Sequence, residues 1–292
     1  MNKIKSGIYG LNSLLDGGLN ENSATVVIGC SGAGKTTLAT QFIRRGLEMG
    51  QEGIFVSLDE NKEQIIKEAI QMGWKKIVDY IDEEKLVFID ASGHEFSAFI
   101  KRELPSFVAD WKGANARISI DPLTPVMWST SDRYEQRELI GFMLKETRKV
   151  GTVLATLEEH GTSGDLSGNE TVIPMYLADC VIHLKSIHTP EGGLQRRLKI
   201  MKCRSSRHSK MEHQYSIVKG LGLVVNPENS SLTPSREVPD RFKQILHEKK
   251  GSVPARVIAR LTEVLEDLRD DDFSEINLET LMREIIAEYE ND

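Results

Sequence analysis

Short apolar runs alternate with amphipathic stretches through most of the chain. Five of these runs predict strands buried on both faces of a sheet: 24–29, 53–58, 85–91, 117–121 and 152–157. Between them, apolar residues recur at helical spacing, most clearly in 133–151, and a second helical stretch at 97–111 is expected to break at Pro105. Strands alternating with helices predict an α/β fold with a mostly parallel central sheet covered by helices.

Later in the chain the pattern changes. Three apolar runs, at 180–186, 194–204 and 220–227, follow one another without an intervening helix, which predicts antiparallel pairing at one edge of the sheet. From about Thr233 the sequence becomes linker-like and then shows two amphipathic helical patterns separated by an acidic turn.

This change of character predicts two parts. A main nucleotide-binding domain is expected at 1–232, and a small, acidic, helical C-terminal extension is expected at 233–292.

Composition narrows the class of protein. The chain has 292 residues, of which 39% are hydrophobic and 28% charged, as in an ordinary globular protein. Its net charge of −7 gives no general attraction to nucleic acid or anionic lipid, and no apolar run reaches the ~20 residues that span a bilayer. Three scattered cysteines and an N-terminus without a signal peptide favour a cytoplasmic protein with reduced thiols and no membrane partner.

One stretch predicts a phosphate-binding loop. GCSGAGKTT matches G-x-x-x-x-G-K-S/T, with an apolar strand before it and a helical pattern after it. Backbone amides of such a loop surround the β-phosphate, the lysine reaches the β- and γ-phosphates, and the threonine hydroxyl binds Mg²⁺. An incidental glycine-rich turn is the alternative. The predicted contacts with ATP and Mg²⁺ are Gly29, Cys30, Ser31, Gly32, Ala33, Gly34, Lys35, Thr36 and Thr37.

No base-reading motif accompanies the loop, so the sequence alone does not choose ATP over GTP. Hydrolysis further requires carboxylates. Asp121 ends the strand at 117–121, where a second metal-binding group is expected, although a strand-end cap is the alternative. Asp59 and Glu60 follow the strand at 53–58 and are candidates for the general base, unless they only favour the start of a helix. Thr156 ends another strand and is a candidate γ-phosphate sensor or a simple strand-end hydroxyl.

Taken together, these motifs resemble the KaiC-like family of RecA-type ATPases. The resemblance covers nearly all of residues 4–226, in the family's order, through SGIYGLNSLLDGGL, GCSGAGKTTLATQF, FVSLDENKEQIIKEAIQMGW, KLVFIDAS, RISIDPLTPV and LKIMKCRSSRHSKMEHQYSI. It implies a RecA-like core and homo-oligomeric rings, typically hexamers, with ATP bound between subunits.

The resemblance also assigns roles to single residues. The family carries a pair of glutamates that activates water; Asp59 and Glu60 occupy those places, and the shorter Asp59 leaves open which acid is the base. A K-x-R element that reaches the neighbouring subunit's γ-phosphate corresponds to Lys202 and Arg204, and His208 matches a further nucleotide-side position. An exposed basic hairpin or a nucleic-acid contact is the alternative.

Clock-type members carry a serine–threonine pair where this chain has Met175 and Tyr176, so serine–threonine autokinase activity is not expected. The chain also carries one core domain where clock proteins carry two. The leading hypothesis is therefore a Mg²⁺-dependent ATPase that acts as a nucleotide-driven switch with an unidentified protein partner. The alternatives are a RadA/RecA-paralogue-like recombination accessory that binds DNA, and a nucleotide-switched binding module with little turnover.

Overall fold

The computed structural model describes residues 2–91, 98–160, 166–188, 193–226, 244–248, 251, 253–267 and 278–289. Within these residues, nine strands form one sheet in the spatial order β11-β10-β9-β8-β3-β7-β6-β4-β5. The strands of this sheet are β3 (Ala24–Gly29), β4 (Gly53–Ser57), β5 (Leu86–Asp90), β6 (Ala116–Asp121), β7 (Gly151–Glu158), β8 (Cys180–His188), β9 (Leu194–Cys203), β10 (Glu212–Val218) and β11 (Gly222–Val225). A separate hairpin-like pair joins β1 (Lys3–Ile4) to β2 (Leu19–Asn20).

The sheet is parallel on one side of β8 and antiparallel on the other. The strands β8, β3, β7, β6, β4 and β5 pair in parallel, whereas β9, β10 and β11 add to β8 in antiparallel order. This confirms the predicted α/β, RecA-like fold and the predicted antiparallel edge.

Helices cover both faces of the sheet. They are α1 (Leu11–Leu14), α2 (Lys35–Glu48), α3 (Lys62–Gln71), α4 (Ile77–Asp82), α5 (Leu104–Trp111), α6 (Thr124–Trp128), α7 (Arg133–Thr147), α8 (Asn169–Leu177), α9 (Ala255–Asp267) and α10 (Leu278–Tyr289), with a further helical turn at 244–248. One apolar cluster lies under α2 and α3, and a second lies under α5, α7 and α8. Because strand side chains alternate between faces, β3, β4, β7 and β8 contribute to both clusters, whereas the apolar residues of β6 lie in the second cluster.

The predicted break at Pro105 takes another form. A π-helix at Phe99–Glu103 runs directly into α5, and Pro105 lies in the first turn of α5. There, the missing N–H of proline leaves no regular α-helical hydrogen bond unmade. The helix therefore changes type at this point and continues.

The C-terminal helices pack onto the main domain. Apolar side chains of α9 and α10 form a third cluster with Tyr9, Val218, Leu221 and Val224. The extension is thus helical, as the amphipathic patterns predicted, and it has an apolar interface with the core. The predicted boundary at residue 233 lies outside the described residues.

A buried polar cluster fixes α10 to the core. The Glu288 carboxylate, 1% exposed, accepts hydrogen bonds from the Gly7 amide at 2.9 Å and from Arg45 Nε at 3.1 Å, and also from the Asn12 side-chain amide. Arg45 Nη2 additionally donates to the backbone oxygen of Glu288 at 2.6 Å. A buried ion pair needs such extra partners, because each charge loses its hydration.

We expect Glu288→Ala to lower the free energy of unfolding by about 3–5 kcal/mol, because it leaves the Arg45 guanidinium buried without its counter-charge. Urea denaturation followed by circular dichroism measures the change. Glu63→Gln is the matched control: Glu63 is exposed in the first turn of α3, and its replacement should shift stability by less than about 0.5 kcal/mol. Equal stability of the two variants would contradict this account of the docked helix.

Candidate functional site

The predicted site residues of the phosphate loop and the candidate carboxylates gather at one edge of the sheet. In the parallel register Gly29 lies beside Glu158 and Ser57 beside Asp121, so the carboxyl ends of β3, β7, β4 and β6 meet there. Loops that follow such strand ends form the binding crevice of an open α/β sheet. The fold therefore brings the phosphate loop, Asp59, Glu60 and Asp121 to a common edge.

The loop between β3 and α2 depends on two glycines for different reasons. Gly34 has φ +89°, and a Cβ there would lie 2.6 Å from Ile217 Cδ1. Gly29 lies in β3 without a positive φ; a Cβ there would meet the Leu184 carbonyl oxygen at 2.8 Å. Its role is thus to allow close backbone packing against β8.

Lys35 is the first residue of α2, and it is only 9% exposed. Its ammonium donates to the Cys30 carbonyl at 3.0 Å, which holds the charge within the curve of the loop. The first amides of the 14-residue α2 point toward the same place, and the positive end of the helix dipole adds to the field. The arrangement suits a polyphosphate.

Asp121 is positioned by two hydroxyls. The residue is 6% exposed, and its carboxylate accepts hydrogen bonds from Thr156 and Thr36. Burial raises the pKa of Asp121, while these two hydrogen bonds and the charge of Lys35 act in the opposite direction. Thr156 is fully buried and donates its hydroxyl to the Asp121 carboxylate. This contact favours a role in orienting Asp121 over direct contact with a phosphate.

Thr36 and Asp121 fit a Mg²⁺ site of the kind that phosphate-loop proteins use. Mg²⁺ is held by few protein oxygens, with the remaining ligands from water and phosphate. Among the described residues no group of three or more His, Cys, Asp or Glu side chains could hold a metal ion, so a dedicated cage is absent there. The Thr36 hydroxyl and the Asp121 carboxylate, both beside the phosphate loop, match the small number of protein ligands that Mg²⁺ needs.

Asp59 and Glu60 extend from the end of β4 and are both exposed. Ser57 donates its hydroxyl to the Glu60 backbone oxygen, which ties this turn to the strand. Partial burial, followed by the charges of Glu68, Asp121 and Asp59, raises the pKa of Glu60. The two acids directly precede Asn61, the N-cap of α3, which accepts from the Gln64 amide at 2.9 Å, so their position fits both a catalytic role and the alternative of acids that favour the start of a helix.

Lys202 and Arg204 lie at the opposite edge of the sheet. Lys202 pairs with Val181 near the start of β8, three residues, or ~10 Å, before Leu184, which lies beside the last residue of β3. Both cations contact the C-terminus of α8: Lys202 Nζ donates to the Ala178 carbonyl at 2.6 Å and Arg204 Nη2 to the Tyr176 carbonyl at 2.9 Å. They therefore do not join the phosphate loop of their own chain.

His208 follows β9 in the same region. It is half-buried, and its Nδ1 lies 2.8 Å from the Ser209 backbone oxygen. The three residues that the resemblance assigns to the nucleotide thus form a group of their own.

Two contacts that support the phosphate loop were not predicted from the sequence. Glu159 donates its amide to the Gly29 carbonyl at 3.0 Å, and its carboxylate lies 2.9 Å from His183 Nε2, with both side chains 1% exposed. Tyr215 on β10 donates its hydroxyl to the Ala33 carbonyl at 2.7 Å. The adjacent acids at the end of 152–158 were a visible signal for the first contact, whereas Tyr215 gave none.

A cavity of about 440 Å³ adjoins the first turn of α2. Its volume lies in the range of small-molecule sites. Helices α2 and α3 and strand β10 supply its walls, which include Thr36, Thr37, Thr40, Ala69, Met72, Ile217 and Lys219. The cavity is thus continuous with the phosphate loop through Thr36.

Comparison with known proteins identifies relatives over most of the chain. A family model described as KaiC ATPase matches residues 4–230. The chain is 30% identical over 237 residues to circadian clock protein KaiC3 of Synechocystis sp., an alignment that covers 77% of this chain and 46% of that protein. It is 28% identical over 255 residues to UPF0273 protein MK0039 of Methanopyrus kandleri, covering 81% and 96% of the two chains.

Among solved structures, the KaiC-like protein PH0186 of Pyrococcus horikoshii OT3 superposes with a TM-score of 0.65 at 30% identity. The match covers 77% of this chain and 99% of that one. The chain spans less than half the length of the clock proteins that it matches. In the described residues, no helix is both long and apolar enough to cross a membrane.

Proposed function

This chain belongs to the KaiC family of RecA-type ATPases, and from that premise we propose that it hydrolyses ATP in a Mg²⁺-dependent reaction. The observation that carries the proposal is the convergence at one sheet edge of Lys35 in the phosphate loop, the Thr36–Asp121 pair and the acids Asp59 and Glu60. The phosphate loop alone would be enough to bind ATP. Hydrolysis also requires carboxylates to bind the metal ion and to activate water, and Asp121, Asp59 and Glu60 supply them.

Each group has a task in the proposed reaction. The loop amides and Lys35 bind the β- and γ-phosphates and stabilise the charge that develops on them. Thr36 and Asp121 would hold Mg²⁺, which neutralises phosphate charge when bound, and Thr156 keeps the Asp121 carboxylate oriented. Glu60 accepts the proton of the attacking water, while the inorganic phosphate and ADP leave as products.

The nucleoside part of ATP would occupy the cavity beside α2. It begins at Thr36 and Thr37, where the phosphates end, and offers apolar walls at Met72 and Ile217 with Lys219 at its margin. Apolar walls with few polar groups suit a purine ring and its ribose.

We assign Lys202, Arg204 and His208 to the nucleotide of a neighbouring subunit. Within one chain they lie at the edge of the sheet opposite to the loop, and the Arg204 side chain is 54% exposed. A cation at that edge reaches a triphosphate only if a second copy presents its phosphate loop there. A ring, with six subunits as the family suggests, satisfies this condition for every site.

In such a ring, turnover would act as a switch. Lys202 and Arg204 also donate hydrogen bonds to carbonyls at the end of α8. Binding of these cations to a neighbour's phosphate would therefore change the position of that helix. We propose that an intracellular protein partner senses this change. A DNA-binding role is less well supported, because Lys185 and Lys199 of the basic strands are paired with Glu212.

The proposal predicts that ATP turnover depends on assembly. With ATP and Mg²⁺ the mass in solution should rise to that of a closed ring, and specific activity should increase with protein concentration as subunits associate. Arg204→Ala should bind ATP normally and hydrolyse it at least about 100-fold more slowly. Light scattering combined with phosphate release measures both quantities.

Arg207→Ala is the matched control, since Arg207 is exposed three residues away. Its turnover should equal that of the wild type. A monomer with full activity at every concentration would contradict the assignment of Lys202 and Arg204 to a neighbouring site. Steep, salt-sensitive DNA binding would instead favour the recombination hypothesis.

A further inference from the structure

Two cysteines face each other across neighbouring strands. Cys180 at the start of β8 pairs with Cys203 at the end of β9 in antiparallel register. The residues next to this pair are hydrogen-bonded, because the Arg204 amide donates to the Asp179 carbonyl at 2.8 Å. Pair types alternate along an antiparallel ladder, so Cys180 and Cys203 are a non-hydrogen-bonded pair. Such pairs bring Cα atoms to about 4.5 Å, inside the range of about 4.4–6.8 Å that disulfides require.

The two sulfurs differ in access. Cys180 is 2% exposed within the apolar cluster under α2, whereas Cys203 is half-buried at its margin. A small solute can therefore reach the sulfur of Cys203 first, while the sulfur of Cys180 is buried on the neighbouring strand. This division matches a pair in which one sulfur is attacked and the other resolves the product.

The surroundings of Cys203 favour its thiolate. The Cys180 thiol donates a hydrogen bond to Cys203, and with the charge of Lys3 and a hydrogen bond from Ser206 it lowers the pKa of Cys203 to about 6. The same contact with Cys203, followed by burial, raises the pKa of Cys180. At neutral pH the proton accordingly resides on Cys180, and Cys203 is nucleophilic.

We propose that Cys180 and Cys203 form a redox-active dithiol that closes to a disulfide on reaction with a peroxide. The Cys203 thiolate attacks one peroxide oxygen, the O–O bond breaks, and hydroxide leaves and takes up a proton. Cys180 sulfur then attacks the sulfenic sulfur of Cys203; an S–S bond forms and the S–O bond breaks, releasing water. Two sulfurs lose two electrons to hydrogen peroxide, and two waters form; a dithiol reductant reverses the change.

Closure would restrain the strand that carries the trans-acting cations. Cys203 lies between Lys202 and Arg204, and side chains alternate along a strand, so a bridge on one face fixes the backbone that presents both cations on the other. This consequence rests on the proposed function. The dithiol chemistry does not, because it depends only on the two sulfurs and their register.

Counting thiols tests the chemistry. The full-length protein is treated with hydrogen peroxide, quenched, denatured and labelled with a maleimide for intact mass measurement. Reduced wild type carries three cysteines and should take up three labels; oxidised wild type should take up one, at Cys30, and regain all three with dithiothreitol. A non-reducing digest should contain the cross-linked Cys180–Cys203 peptide.

Cys203→Ser should bind two labels before and after peroxide, because Cys30 and Cys180 cannot pair. Three labels on treated wild type, bridges only between chains, or sulfinic acid at Cys203 without a cross-link would each overturn the proposal. Since these outcomes are observed on wild type, they hold whether or not the variant folds.

Activity tests the consequence. Oxidation should lower ATP turnover of wild type by about fivefold or more, with recovery in dithiothreitol, and should leave that of Cys203→Ser unchanged. A disulfide that forms without any change in turnover would overturn the coupling to Lys202 and Arg204. If reduced protein shows no turnover at all, the proposed function fails while the thiol count still decides the chemistry.

Discussion

Replacement of Lys35 by alanine should abolish productive ATP binding. The ammonium is held inside the phosphate loop by the Cys30 carbonyl, and it is the one charged side chain that the loop itself supplies. A charge-assisted hydrogen bond contributes about 1.5–3 kcal/mol, and Lys35 is assigned to two phosphates, so affinity should fall at least about 100-fold. Turnover should fall by about 1,000-fold or more, because the lysine also stabilises charge in the transition state.

Titration with a fluorescent ATP analogue and a phosphate-release assay measure the two losses. Lys112→Ala, which removes an exposed lysine after α5, should match the wild type in both. Because Lys35 is buried, circular dichroism must show that its variant is folded. A folded Lys35→Ala protein that binds ATP with undiminished affinity would remove the phosphate loop from the mechanism.

The central sheet was predictable because its strands are buried on both faces. Residues 24–29 (ATVVIG) carry no charged side chain, and residues 117–121 (RISID) alternate isoleucine with polar residues; both segments therefore predict strands. Strand β10 was not predicted as a separate element, although Glu212–Val218 shows the alternating pattern of a half-exposed strand. The short β1 and β2 each contain two residues, too few for a periodic signal.

The phosphate loop was predictable because its chemistry is contiguous in sequence. The supporting contacts are not: Thr156 meets Asp121 across 35 positions, and Tyr215 meets Ala33 across 182. Nothing local to either residue encodes its partner, because register and strand order decide the pairing. The place of Thr156 behind the carboxylate therefore emerges only from the fold.

The docking of the C-terminal extension shows the same limit. An amphipathic pattern at 278–286 predicts a helix and an apolar face, but it does not identify the surface that covers that face. Glu288 appears in the sequence as one acid in an acidic tail. Its partners Gly7 and Arg45 lie 281 and 243 positions away, and only the folded chain shows that its charge is buried and paired.

Glu60→Gln should retain ATP binding and lose turnover by about 100- to 10,000-fold, the usual contribution of a general base. The structure favours Glu60 over Asp59, because the backbone of Glu60 is tied to Ser57 and its pKa is raised toward the range of a working base. Proton abstraction requires the ionised carboxylate. Activity should therefore increase as pH rises through the pKa of Glu60, at a higher pH than for an unperturbed glutamate.

Asp59→Asn separates the two acids. The negative charge of Asp59 is one of the causes that raise the pKa of Glu60, so its removal should lower that pKa and move the acid limb of kcat/KM to lower pH. If Asp59 were instead the base, Asp59→Asn would abolish turnover and Glu60→Gln would keep it. Phosphate release measured across pH for both variants, with ATP affinity as the control for binding, distinguishes the two acids, because only one of them can lose its charge without ending the reaction.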